Sequence, residues 1–230
     1  MENLFRASKV KLTRARQFIG EVEAGLQAYD SSDPFSAKFS GPEAIEFSFK
    51  EIDPEVLSAF GDAIHNTRAA LDLMAAELAR INNESDKGVY FPFSNSKENF
   101  PGQIKEKKFY RAGEDAVALL KKFEPYSDGN RMLRTIHDLD IRDKHTNIIV
   151  TRRVTKDFSF TYRLDEGPNP AISVSGSNSH EFLDGALAGQ PLVKTLKELV
   201  HLVDGIIEEF ARMVESRKTS NAVNGEKPAT

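Results

Sequence analysis

The sequence predicts an α+β fold, mainly a helical bundle packed against a small antiparallel sheet. Three observations predict it. Apolar residues recur three and four apart over several long stretches, which is the period of a helix with one buried face. Residues 35–50 and 147–164 switch to a period of two, the pattern of half-buried strands. The elements follow in the order helix, hairpin, several helices, strands, helix, and helices segregated from antiparallel strands are the α+β arrangement.

Each element has its own signal. In residues 3–28, Leu12, Ala15, Ile19, Val22 and Leu26 form one apolar stripe, and Asp30-Ser31-Ser32-Asp33-Pro34 ends it. Ile45, Phe47 and Phe49 alternate with Glu46, Ser48 and Lys50, and Gly41-Pro42 supplies a turn, which predicts a hairpin with one buried face. Asp53-Pro54-Glu55 reads as a cap, a first-turn proline and an acidic first turn. It opens a long helix over about 54–82, closed near Asn82-Asn83. Residues 84–101 read as a loop with an apolar anchor, Val89-Tyr90-Phe91-Pro92-Phe93. Helices are expected at about 102–110, 113–124 and 130–144, with a break at Pro125–Gly129. Residues 147–164 read as two strands and 171–176 as a short third. The last long helix spans 192–215, with Leu196, Leu199, Val203, Ile206 and Phe210 on one stripe.

The organisation expected is a domain over 1–215 and a disordered tail over 216–230, where polar residues with Pro and Gly show no periodicity. A chain of 230 residues buries roughly 70–75% of its unfolded surface in one domain and needs no disulfide or metal staple. It contains no cysteine, which removes thiol nucleophiles, thiolate metal sites and iron–sulfur clusters. The formal net charge of −4 argues against a dedicated DNA-binding domain. No stretch has the length of a membrane span or a signal peptide, so a cytoplasmic protein with no membrane partner is expected. There is no glycine-rich nucleotide fingerprint, P-loop or serine-hydrolase elbow, and no cofactor is expected.

One cluster of polar residues carries the functional reading. With Ile64 set to zero on a helical projection, Leu57, Phe60, Leu71, Met74 and Leu78 face the core. Beside them, at roughly 20–100°, lie Gly61, His65, Arg68, Asp72, Ala75 and Ala79. The three polar residues are three and four apart, hence neighbours, and the small residues between them admit close approach of another element. On the 130–144 helix the inner face of Met132, Leu133, Ile136 and Leu139 turns polar in its last turn, through Asp140, Asp143 and Lys144. His145 follows at the helix end, and His137 sits at the boundary of the inner face. Packing these two helices together unites His65, Arg68, Asp72, Asp140, Asp143, Lys144 and His145. Two cations meet three carboxylates, and one protonated histidine balances them. Burial of any one charge alone costs several kcal/mol, so pairing is close to obligatory.

The segment Gly61-Asp62-Ala63-Ile64-His65-Asn66-Thr67-Arg68-Ala69-Ala70-Leu71-Asp72 resembles the hallmark helix of a widespread bacterial family of uncharacterised proteins, of the form G-D-x-x-H-N-x-R-x-A-L-D. The resemblance continues through Phe91-Pro92, a segment ending in Pro125-Tyr126, and the Asp143-Lys144-His145 motif, so it covers about 54–150. Family members usually carry Arg after that His, where this chain has Thr146. The resemblance implies a related fold and a shared polar centre, and no reaction. A more distant likeness is to HEPN helical-bundle ribonucleases, which pair Arg and His on one helix. The spacings here, Arg134-x-x-His137 and Arg142-x-x-His145, depart from theirs.

Three readings of the cluster follow from its chemistry. In the first, Arg68 and Lys144 clamp an anion, His65 and His145 carry protons, and Asp72, Asp140 and Asp143 orient and balance them. The substrate is then a small anionic ligand or a phosphodiester such as RNA. In the second, the same residues form a salt-bridge network that fixes helix register in a non-catalytic binding module. Such a module is expected to dimerise through the Leu202, Ile206 and Phe210 face of the last helix. In the third, two histidines and the aspartates bind a metal in a metal-dependent hydrolase, against the repulsion of the two cations. Lys105, Lys107, Lys108 and Arg111 form a separate basic stretch, suited to nucleic acid or to plain solvation. His180 and His201 read as isolated surface or packing residues.

Overall fold

The computed structural model describes residues 4–32, 34–41, 44–145, 151–162 and 172–225. Six α-helices and four strands are placed among them: α1 (Arg6–Ser31), β1 (Phe35–Gly41), β2 (Ala44–Phe49), α2 (Pro54–Ile81), α3 (Phe100–Glu106), α4 (Glu114–Phe123), α5 (Arg131–His145), β3 (Thr151–Tyr162), β4 (Ile172–Phe182) and α6 (Leu192–Gly225). The mainly helical α+β class is as the sequence predicts. The strands form two antiparallel pairs, β1–β2 and β3–β4. No described helix is long and apolar enough to cross a membrane.

α2 is the hub, touching α1, α5, α6 and the 3-10 turn Phe109–Ala112. Its composition explains this. Ala59, Ala63, Ala70, Ala75 and Ala79 are all buried, and side chains that small let neighbouring backbones close in from several sides. The helix starts as its sequence predicts: the Asp53 carboxylate accepts from the Glu55 N–H at 2.9 Å, with Pro54 at the first helical position. On α1 the whole predicted stripe, Leu12 to Leu26, is buried. The rim of the α1–α6 contact carries three ion pairs, Lys9–Glu208 (3.0 Å), Arg16–Asp204 (2.6 Å) and Glu23–Lys197 (2.8 Å). Rising numbers on α1 meet falling numbers on α6, so the two helices run antiparallel.

The loop after α2 is anchored as its apolar run suggests. Val89, Phe91 and Phe93 are buried while Tyr90 points outward. Phe91 meets Phe93 and Phe109, and Phe109 in turn meets Phe210 of α6, so edge-to-face aromatic contacts tie the loop to the last helix. Ile206 and Phe210 are thereby fully packed within the chain and Leu202 is half-buried, so this stripe is core rather than an open dimer face.

Four elements differ from the sequence reading. The helix expected at 102–110 breaks at Lys108, whose φ of +53° is left-handed, and continues as the 3-10 turn. Residues 151–162 form one long strand where two are predicted over 147–164. The interruption is a register shift between Lys156 and Ser159 with Asp157 at φ +54°, which bends the strand without ending it. β4 runs on to Phe182, well past the expected 171–176. α6 continues to Gly225, through residues assigned to the tail. Arg217 anchors the start of this extension: it pairs with Asp115, and its guanidinium also donates to the Ala112 carbonyl at 2.9 Å. Residues 226–230, 147–150 and 171 lie outside the described residues.

Candidate functional site

The packing of α2 on α5 brings the predicted polar strip together, but in two separate halves. In one half, Arg68 and Asp72 form an i,i+4 pair with Nη1 2.6 Å from Oδ1, at an angle that makes it an ion pair rather than a hydrogen bond. Arg68 Nη2 donates to the Phe91 carbonyl at 3.2 Å. The Phe91 N–H donates to Asp72 Oδ1 at 2.9 Å. The guanidinium lies over the Phe93 ring, 4.5 Å from its centroid. The Arg68 side chain is 10% exposed, and its charge, its plane and one of its amino groups are all engaged. This half staples the loop to α2.

Sequence reasoning misses one member of this half. The His137 ring stacks on Phe93, with planes 5° apart and centroids 4.9 Å apart. Burial lowers its pKa to about 4, with further lowering by the Arg68 and Arg134 charges, so it is neutral at pH 7. Its position at the edge of the α5 inner face was the available signal. Its partner Phe93 lies in a loop without periodicity, where a helical projection has no reach.

The other half is a histidine–carboxylate pair. His65 Nδ1 lies 2.9 Å from Asp140 Oδ1. The Asp140 side chain is 9% exposed, while that of His65 is 45% exposed. Among the described residues, Nε2 of His65 has no partner. Neighbouring Asn66 is fixed by its own contacts, donating to the Asp62 carbonyl at 2.8 Å and accepting from Lys11 at 3.1 Å.

Asp143 sits against Gly61, one helical turn before His65. A Cβ built on Gly61 would fall 2.6 Å from Asp143 Cγ, so the absence of a side chain there is what admits the carboxylate. Lys144 and His145 are the last two residues of α5, and their side chains lie outside the described residues. The α5 backbone puts Lys144 one turn beyond Asp140, on the same face. Among the described residues, no group of three or more His, Asp or Glu is arranged to hold a metal ion. His65 and Asp140 provide two donors, and a metal reading needs a third from side chains beyond that set.

A second histidine–aspartate pair lies far from the first. His180 Nε2 is 3.2 Å from Asp30 Oδ2, and Arg153 Nε is 3.1 Å from Asp30 Oδ1. Arg153 and His180 face each other across the β3–β4 ladder, and the Tyr29 ring meets His180 edge-on. His180 is therefore not an isolated residue. It ties the β3–β4 ribbon to the end of α1, and its side chain is only 8% exposed.

Compared with known proteins, the chain matches no family model, no curated protein and no solved structure.

Proposed function

We propose that the α2–α5 site is an acid–base centre acting on an anionic substrate of the phosphodiester class, with His65 as the proton carrier. One observation carries the reading: a buried carboxylate holds one ring nitrogen of a half-exposed histidine whose other nitrogen has no partner among the described residues. With Nδ1–H donating to Asp140, Nε2 keeps its lone pair and accepts a proton from an attacking hydroxyl or water. Asp140 fixes the tautomer and stabilises the imidazolium that forms, without itself taking the proton. The returned proton goes to the leaving oxygen. Lys144, one turn beyond Asp140, is the candidate for meeting charge on the phosphoryl oxygens, since the Arg68 charge is already matched. His145 and Asp143 flank this end of the site. In this reading Arg68 and Asp72 position the helix and loop and do not touch the substrate. The protein is then a hydrolase or transferase of small anions, in keeping with a cytoplasmic setting.

The buried contacts of Arg68 with Asp72, the Phe91 carbonyl and the Phe93 ring favour a second reading, a binding module in which the whole strip is structural. Turnover of bis(4-nitrophenyl) phosphate and of a short RNA separates the two. The acid–base reading expects His65→Ala and Asp140→Asn to lower kcat about 10²- to 10⁴-fold, the usual contribution of one positioned acid–base group, in variants that remain folded at the assay temperature. Absence of turnover above the blank, or turnover that survives His65→Ala, assigns the strip to structure.

A further inference from the structure

We infer that the surface made by the 84–90 loop, α3 and the 3-10 turn Phe109–Ala112 binds single-stranded nucleic acid. Four cations here lack a carboxylate partner among the described residues: Lys87, Lys105, Lys108 and Arg111. Two of them, Lys108 and Arg111, are gathered on one backbone group. Lys108 Nζ and Arg111 Nη1 both point to the Lys87 carbonyl, at 3.5 Å each, and Arg111 also donates to the Ser85 carbonyl at 3.1 Å. Gly88, at φ +76°, leaves the space that the Lys108 ammonium occupies: a Cβ there would lie 3.1 Å from Nζ. The Tyr90 N–H donates to the Lys107 carbonyl at 3.0 Å, which locks the loop to the end of α3. The Lys108 and Arg111 positions are set by the backbone rather than scattered over a solvated helix.

The contrast with the α1–α6 rim is instructive. There each of Lys9, Arg16 and Lys197 meets a carboxylate across the seam. Here Lys87, Lys105, Lys107, Lys108 and Arg111 outnumber Glu84, Asp86 and Glu106, so the local balance is positive although the whole chain is at −4. Two large rings stand out of the same surface, Tyr90 at 49% and Tyr110 at 52% exposure, and the Arg111 guanidinium lies 6.0 Å from the Tyr110 centroid. Unmatched cations that track a backbone, interleaved with exposed aromatic rings on which bases stack, are what single strands require. A simple inorganic anion has no use for the tyrosines.

The surface also leads to the candidate site. Tyr90 precedes Phe91, whose N–H is bonded to Asp72, and Asp72 lies about 10 Å along α2 from His65. That the bound strand is the substrate of His65 rests on the acid–base reading, whereas the binding itself does not.

Fluorescence anisotropy of a 12-nucleotide labelled RNA, titrated with the full chain at several KCl concentrations, is the test. Four phosphate contacts predict a slope of about −3 for log K against log salt. Lys108→Ala reduces that slope by about 0.7. Tyr90→Ala and Tyr110→Ala each weaken binding by about fivefold or more at constant slope. Binding by the parent chain without cleavage of the RNA removes the acid–base reading alone. No saturable binding at 50 mM KCl overturns the inference. So does affinity indifferent to both tyrosines, or flotation with phosphatidylserine vesicles in the absence of RNA binding. Circular dichroism of each variant guards against loss of fold.

Discussion

The two halves of the polar strip on α2 are one helical turn apart and have opposite characters. Arg68 is buried and spends its charge on Asp72, a loop carbonyl and an aromatic face. His65 is half-exposed and spends one nitrogen on Asp140. The same helix periodicity puts both residues on the strip, so neighbourhood in sequence does not decide their roles. What decides is the element each one meets. Arg68 meets a loop with backbone groups and an aromatic face, which hold a guanidinium in place. His65 meets Asp140 of α5 through one nitrogen and keeps 45% of its side chain exposed. A half closed on a loop builds rigidity, and a half left partly exposed can engage something else.

The largest effect should come from breaking this contrast at Arg68. Arg68→Ala leaves Asp72 and the Phe91 carbonyl short of a partner in a largely buried place, and a loss of about 3 kcal/mol is expected in urea unfolding. Arg68→Lys should recover little of it, since an ammonium neither spans Asp72 and the carbonyl as a fork nor lies flat on Phe93. His65→Ala should cost less than about 1 kcal/mol, because a half-exposed ring gives up one hydrogen bond. Equal losses at the two positions would make the strip a single structural network and remove the basis for a proton carrier at His65.

The stacked His137 sharpens the comparison through pH. Its pKa is lowered from 6.5 to about 4 in the fold, chiefly by burial, so the unfolded chain binds a proton first. Stability from this group is complete above about pH 6.5 and falls as pH drops toward 4, below which both states are protonated. The full shift corresponds to about 3 kcal/mol, and partial exposure of the ring reduces the expected loss to about 1–2 kcal/mol. His137→Phe keeps a stacking partner for Phe93 and removes the titration. Thermal midpoints of this variant should vary less between pH 6.5 and 4 than those of the parent chain. An unchanged pH profile would assign the acid sensitivity to other groups.

Local pattern and tertiary partners divide what the sequence discloses. The strip His65–Arg68–Asp72 and the polar last turn of α5 are legible because both lie on regular helices, where 3.6-residue geometry fixes direction before any partner is known. The division of the strip into two halves is not legible, since Arg68 turns toward Phe91 and Phe93, and an aperiodic loop gives no projection. His180 shows the same limit at longer range, for its partner Asp30 is 150 residues away in sequence. The start of the α6 extension is anchored by Arg217 on Asp115 of α4, a contact that composition of the C-terminal segment cannot announce. The unbroken β3 is not legible because Asp157 adopts a left-handed conformation inside the strand, a bulge that period-two alternation does not announce.

The smallest expected effect concerns how close α5 comes to α2. Gly61 costs the helix about 1 kcal/mol relative to alanine, which an exposed helix position would recover on substitution. Here a Cβ would lie 2.6 Å from Asp143 Cγ, so the carboxylate must move for the alanine to fit. Overpacking of this kind costs about 1–3 kcal/mol, which offsets or slightly exceeds the propensity gain. Gly61→Ala alone should therefore be neutral or destabilising by about 1 kcal/mol. In an Asp143→Ala background the obstruction is gone and the same substitution should stabilise by about 1 kcal/mol. The double-mutant cycle then shows a coupling of about 1–2 kcal/mol between positions 61 and 143. A coupling near zero would mean that Asp143 yields freely, and that Gly61 is not what sets the approach of α5 to the His65 half of the strip.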